Sequence, residues 1–391
     1  MSNASAPARW FHEFGRPPRI LGLDVARGLA ILGMAGAHIG DTPVFDWSDP
    51  ATWTDLVHGR SSILFAVLAG VSIALMTGRS TLPAPERLPA LRLALVGRGG
   101  VIFVIGLALE FLHTPIAVIL ILYGLLYAAV IPVLRWRPWQ LLTGAAVLAL
   151  AGPPLLALIS ALTLHPSGAG IGFVLYGSYP ITVWLALVLG GMALGRLHVD
   201  GIRTAWVALG TGVALAVVGY GLGAVGAAQN VPSPDDRGVG GMRGGWDDYP
   251  QALAEADPLR AVISAVFAVE PHSGGVAEIL GSGGFALALI ALCLLLSTPL
   301  RWPMLPFGAL GSMPLSAYSG HILFIALLVG PGGFYSSNAF WAALSAGLLV
   351  ISTAWSIVVG QGPLEQVVSA VARKMSGVSA PPVITGPRLN P

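Results

Sequence analysis

Cysteine is almost absent from the 391 residues: Cys293 is the only one, and it lies inside an apolar run. Intramolecular disulfides and cysteine-built metal clusters are therefore excluded. Lysine is equally scarce, with Lys374 the only example, and charged residues of both signs make up 10% of the chain. Twenty Lys and Arg against 18 Asp and Glu leave a scattered net charge of +2, so no nucleic-acid partner is implied. The opening MSNASAPARWFHEFGRPPR has no apolar core followed by a small-residue cleavage site, and no removable signal peptide is read there. An internal repeat is also missing, and with it the inverted-repeat sign of many secondary transporters.

Apolar residues, by contrast, are abundant. They make up 55% of the chain, the mean hydropathy is +0.79, and apolar runs of membrane-spanning length recur. These features predict an all-α, polytopic transmembrane helix bundle of about ten spans. The expected spans are 20–40, 59–78, 94–112, 116–134, 140–162, 176–195, 204–225, 276–298, 305–330 and 337–360. With a cytoplasmic N-terminus, most of the arginines fall on the inside, which favours this count and orientation. An eleventh span in 251–270 would invert every later span. Its apolar part, AVISAVFAV, is too short to cross and reads as an interfacial or re-entrant helix. The domain reading is a cytoplasmic tail over 1–18, one transmembrane domain over 19–370 with an outer loop or lid at 226–275, and a disordered cytoplasmic tail over 371–391. Membrane lipids are the partners this implies, and no oligomeric state is indicated.

The first span, RILGLDVARGLAILGMAGAHIG, is too polar to face lipid. Asp24 and Arg27 are i,i+3 neighbours, and His38 follows Arg27 by about three turns, so all three share one stripe about 20 Å long. Ionisable groups inside a membrane face a bundle interior or a wet cavity, which makes the stripe a candidate site. Sorted by depth, His38, His58, Arg60, His272 and His321 all gather towards the outer side, and Tyr318 stands one turn before His321. A neutral imidazole there can act as general base, with Asp41 a candidate to orient it. Each histidine alone also reads as an ordinary interfacial residue, Asp24 with Arg27 as a structural pair, and Arg60 as a snorkelling cation. The i,i+4 or paired-cysteine spacing of a zinc site is missing, so no metal is expected. On the inner side, Arg92, Arg98 and Arg196 fit either topological sorting or the binding of acyl-CoA phosphates.

LDVARGLAILGMAGAH resembles the first-span signature of the transmembrane acyltransferase superfamily. That group includes the acyltransferase-3 proteins, the heparan-alpha-glucosaminide N-acetyltransferases and the YeiB-like proteins. The Asp24-x-x-Arg27-Gly28 start and the 14-residue step to His38 match the acyltransferase-3 pattern. HGRSSILFAVLAG, YPITVW, GGMALGR, PHSGG, GSMPLSAYSGH and GPLEQVV are similar to the YeiB-like and heparan-acetyltransferase-like branch. In the heparan branch an Asn stands at the place of His38 and the catalytic histidine lies in the next loop, where this chain offers Asp49. The resemblance implies a bacterial inner-membrane enzyme moving an acetyl group from cytosolic acetyl-CoA to a glycan or glycolipid at the outer face. It implies His38 as base, with Arg60 and His272 beside the acceptor or oxyanion. Asp24 and Arg27 would support the inner end, while His58, Tyr179, Trp184, Ser273, Tyr318 and His321 line the cavity. Arg92, Arg98 and Arg196 would meet the donor. A transporter of an amphipathic substrate and a non-catalytic scaffold or sensor are the competing readings.

Overall fold

A computed structural model describes residues 6–41, 43–164, 169–176, 179–233 and 245–377, and the described residues form helices, turns and no strand. The chain opens with the short helix α1 (Ala6–Glu13), followed by α2 (Leu21–Ile39), α3 (Arg60–Met76), α4 (Leu88–Glu110), α5 (Leu120–Ala129) and α6 (Pro138–Leu162). After a short turn over 169–176 come α7 (Ile181–Arg196) and α8 (Ile202–Ala228). Two short helices, α9 (Tyr249–Ala256) and α10 (Pro258–Phe267), precede α11 (Val276–Leu296). The chain then runs through α12 (Arg301–Gly311), α13 (Pro314–Val329), α14 (Asn338–Val358) and α15 (Pro363–Ser376).

Among the described residues, six stretches are long and apolar enough to cross a membrane: α3 with the 3₁₀ turn before it, α4, α6, α8, α11 and α14. A seventh arises if α12 and α13, bent by 72° at their junction, count as one broken span. This is a helical membrane protein. The three other expected spans correspond to α2, which is 19 residues long and carries two charges, to α5 with ten residues, and to α7 with 16.

Burial sorts the helices into a centre and a periphery. The apolar window of α3 is 67% buried, whereas those of α6 and α14 are only 17% buried and present Val147, Leu150, Val350 and Ile351 outward. In lipid such faces need no cover. The polar helix α2 lies at the centre, with 14 of its 19 residues buried against α3, α11, α12 and α14. Glycine allows that approach: a Cβ on Gly28 would overlap the Phe307 carbonyl of α12, and one on Gly311 would overlap the Asp24 carbonyl. Gly36 leaves room for the Trp341 indole, whose Nε1 donates to the Leu32 carbonyl at 2.9 Å.

Several boundaries differ from the sequence reading for local reasons. The 305–330 stretch breaks at Ser312 and Met313, just before the proline that opens α13. Over 116–134, α5 gives way to a 3₁₀ turn at Ile131–Val133, which contains Pro132. Asp257, in the left-handed region at φ 40°, divides 251–270 into α9 and α10, neither of spanning length. Within the 1–18 tail, α1 docks by its Trp10 indole on Ser356 of α14 at 2.9 Å. Helix α15 continues past residue 370 to Ser376, while 378–391 and the 234–244 part of the expected lid lie outside the described residues.

Candidate functional site

Helix α2 carries a different polar group at each end. At its start, the buried Asp24 carboxylate accepts from Arg19 at 2.9 Å and Arg27 at 2.5 Å, and Arg27 also donates to Ser72 of α3 at 3.2 Å. One acid thus serves two guanidiniums and leaves a net positive charge at this end. Near its C-terminus, His38 stacks on the fully buried His321 of α13, with His38 Nδ1 3.1 Å from His321 Nε2.

The partners of the histidine pair fix its proton arrangement. His321 Nδ1 lies 3.3 Å from the Ala317 carbonyl, which can only accept, so Nδ1 carries the hydrogen and Nε2 is the acceptor. His38 must then donate through Nδ1, and its own Nε2 is left with a free lone pair. That nitrogen belongs to a ring lining a cavity of about 180 Å³. The pair therefore presents a neutral imidazole base whose tautomer is fixed by a second imidazole. Asp41 has another role: its carboxylate takes the Ser336 hydroxyl, and its backbone N–H donates to Asn338.

The same cavity is lined by His58, His272, Tyr179, Tyr318, Ser61 and Ser62. His272 and His58 face each other with ring centroids 6.4 Å apart, and Tyr179 stands edge-on to His272 at 5.5 Å and to the buried Trp184 at 5.2 Å. Burial, with the neighbouring His58 second, pushes the His272 imidazole down to about 4, so it is uncharged at neutral pH. The Tyr179 hydroxyl donates to the Ala117 carbonyl at 3.1 Å.

His272 is held in a backbone conformation, φ 65°, that non-glycine residues rarely adopt. Glu278, in the first turn of α11, secures it. Its buried carboxylate accepts from the N–H of His272 at 2.8 Å, the N–H of Gly274 at 2.7 Å and the Ser273 hydroxyl at 3.2 Å. Ser273 thus faces Glu278 and is not among the residues lining the cavity. Arg60 also stands off the cavity: its Nε donates to the Tyr220 hydroxyl at 2.8 Å, and Asp55 is 3.9 Å from its Nη1.

A second cavity, of about 360 Å³, adjoins the Asp24 end of α2 and is lined by Arg27, Arg98, Ser72, Tyr123 and Tyr127. Consecutive residues at the start of α5 divide between the two cavities, Ile119 lining the first and Leu120 the second. Tyr318 lines the first cavity and Tyr123 the second, and the buried Tyr123 hydroxyl has no hydrogen-bond partner among the described residues. A polar group entering the second cavity could pair with that hydroxyl. The predicted arginines separate here. Arg98 joins Arg27 in the cavity, and Arg92 is exposed on α4. Arg196 is buried, with its guanidinium donating to the carbonyls of Thr77, Arg79 and Leu134 and to the Thr77 hydroxyl.

Glu278, which secures the His272 loop, and Tyr123, which lines the second cavity, are residues that the sequence reading did not assign to the site. A signal existed for Glu278, the only acid in the apolar run 276–296. Among the described residues no three His, Cys, Asp or Glu side chains converge to hold a metal ion.

The fold and the site define a polytopic helical membrane protein with a histidine-lined cavity at one end of a polar central helix and a cationic cavity at the other. Its family is shown by comparison with known proteins: the model for the heparan-alpha-glucosaminide N-acetyltransferase catalytic domain matches residues 19–220, more than half of the chain, and the chain belongs to that membrane acetyltransferase family. The match contains His38, Arg60 and Tyr179, while His272 and His321 lie beyond it. Comparison with curated proteins returns no match.

Proposed function

We propose that this protein is a bacterial inner-membrane acyltransferase that passes an acetyl group from cytosolic acetyl-CoA to a hydroxyl or amine of a glycan or glycolipid at the outer face. The observation that carries the reading is the pairing of His38 with His321, which leaves His38 Nε2 free in one cavity, while Arg27 and Arg98 line a second one whose wall includes the next residue of the chain, Leu120 after Ile119. The donor's fit rests on those two cations for its phosphates and on the orphan Tyr123 hydroxyl for its amide-bearing arm. His38 Nε2 takes the proton of the acceptor O–H or N–H as that atom attacks the thioester carbonyl. The carbon–sulfur bond breaks, and His38 returns the proton to the departing sulfur. His272, as a neutral imidazole, and His58 beside it are positioned to hydrogen-bond the incoming sugar, and Tyr179 and Tyr318 shape the cavity. The test is reconstitution with labelled acetyl-CoA and candidate outer-leaflet acceptors. Transfer should appear in wild type and vanish in His38→Ala, and equal transfer in both would exclude the role given to His38.

The same reading assigns ten crossings and a cytoplasmic N-terminus, counting α2, α5 and α7 as spans and α12 with α13 as one. In a Cys293→Ser background, an impermeant thiol reagent added outside should label a cysteine placed at Ser48 and leave one placed at Glu86 unlabelled. Labelling at Glu86 would reverse the orientation.

A further inference from the structure

At the Asp24 end of the bundle lies a separate cavity of about 620 Å³, which shares no lining residue with the one holding Arg27. Arg16, Arg19, Arg79 and Arg301 line it, and Asp200 is the only acid among its lining residues. We propose that this cavity binds the phosphate headgroup of an anionic membrane phospholipid, independently of the acyl-transfer site.

Sorting of positive charge to one membrane face accounts for arginines at this level, but not for their convergence on a concavity. Arg301 is fixed by three carbonyls at the end of α1, those of Phe11, His12 and Phe14, at 2.8–3.2 Å. Arg79 donates to the Pro18 carbonyl at 3.3 Å, and Arg19 to Asp24. Arg16 has no side-chain acceptor among the described residues, and its charge acts on that of Arg301. Arg19 is paired with Asp24, and the other three lining arginines against the single lining carboxylate of Asp200 leave an excess of positive charge that an anion would neutralise.

The rest of the wall selects a lipid over a soluble anion. Ile202 of α8 and Leu294 and Leu295 of α11 supply an apolar surface continuous with helices that face lipid. Trp206 and Trp302 are 59% and 58% exposed close by in sequence to those lining residues, and such indoles mark the headgroup level. Basic pockets at that depth accommodate lipid phosphates, each nearby cation strengthening binding by about fivefold.

The experiment uses the full chain in nanodiscs of phosphatidylcholine doped with a fluorescent phosphatidylglycerol, read by energy transfer from the interfacial tryptophans. Wild type should enrich phosphatidylglycerol over an equally labelled phosphatidylcholine, and Arg16→Gln should reduce that enrichment about fivefold, with Arg16→Lys restoring it. Gel filtration confirms that each variant is folded. Should Arg16→Gln fail to fold, the wild-type protein decides by salt: raising ionic strength from about 0.05 to 0.5 M should abolish the preference. No preference for the anionic lipid, or an unchanged preference in folded Arg16→Gln, overturns the proposal. So does stoichiometric displacement of the lipid by coenzyme A, which would reassign the cavity to a soluble phosphate donor.

Discussion

The ring planes of His38 and His321 are 15° apart, with centroids separated by 5.3 Å and one hydrogen bond joining the two side chains. The Ala317 carbonyl beneath His321 sets the direction of that bond, so a residue with no exposure to the cavity dictates which nitrogen of His38 is basic. Replacing His321 by Phe removes the acceptor while keeping an aromatic ring in place. Turnover at saturating donor should fall roughly 10- to 100-fold with little change in KM, since the loss lies in how the base is presented. His321→Gln, whose carbonyl can accept from His38, should recover part of it. Combined with His38→Ala, the His321→Phe change should cost little more. A full additional loss in the double variant would show that the two rings do not act as a unit.

Arg196 illustrates a residue whose type suggested one role and whose surroundings give another. Its guanidinium satisfies three carbonyls and a hydroxyl where α3 ends and α5 runs out. Arg196→Ala would strand those acceptors in the interior and should lower stability by about 3 kcal/mol or more, seen as a drop in Tm. The KM for acetyl-CoA in the folded fraction should stay at the wild-type value. A raised KM with an unchanged Tm would restore Arg196 to the donor site.

Much of this arrangement was legible in the residues themselves. Charged groups in a span must face protein or water, so the Asp24, Arg27 and His38 stripe identified the central helix, and depth alone grouped His38, His58, His272 and His321. What depth could not show is direction. Arg60 has the right depth but turns to Tyr220, and Arg196 has the right end of the bundle but turns inward. Side-chain direction depends on which neighbour approaches, and glycines such as Gly28 and Gly311 set those approaches through contacts between residues far apart in sequence. The break between α12 and α13 is of the same kind: a hydropathy window reads straight across it, while Pro314 and the packing on α2 turn the chain by 72°.

The His272 imidazole gives a pH dependence of stability with a definite sign. Its folded value of about 4 lies below the ordinary 6.5, so between those limits the unfolded chain binds more protons than the native one. Stability from this group is complete above about pH 6.5 and declines as the pH falls through 4, by at most roughly 3 kcal/mol. His272→Asn should therefore flatten the fall in Tm between pH 6.5 and 4. An identical slope in wild type and variant would mean that His272 is not buried neutral.

Glu278 holds three donors of one short loop, and the count decides which substitution is worst. Alanine leaves two buried N–H groups and a hydroxyl without their acceptor. Glutamine keeps one carbonyl but turns an NH2 towards a donor, so it relieves only part of that loss. Each unmet donor costs on the order of 1–3 kcal/mol, comparable with the cost of keeping His272 at φ 65°. Once the carboxylate is gone, the loop has no reason to retain that conformation, and His272 should leave the cavity as its backbone relaxes. Hydrogen exchange reads this directly. The amides of His272 and Gly274 should lose protection in Glu278→Gln and more so in Glu278→Ala, while the α13 amides around His321 keep theirs. Unaltered exchange at 272–274 in both variants would mean that the loop is shaped by its packing and not by Glu278.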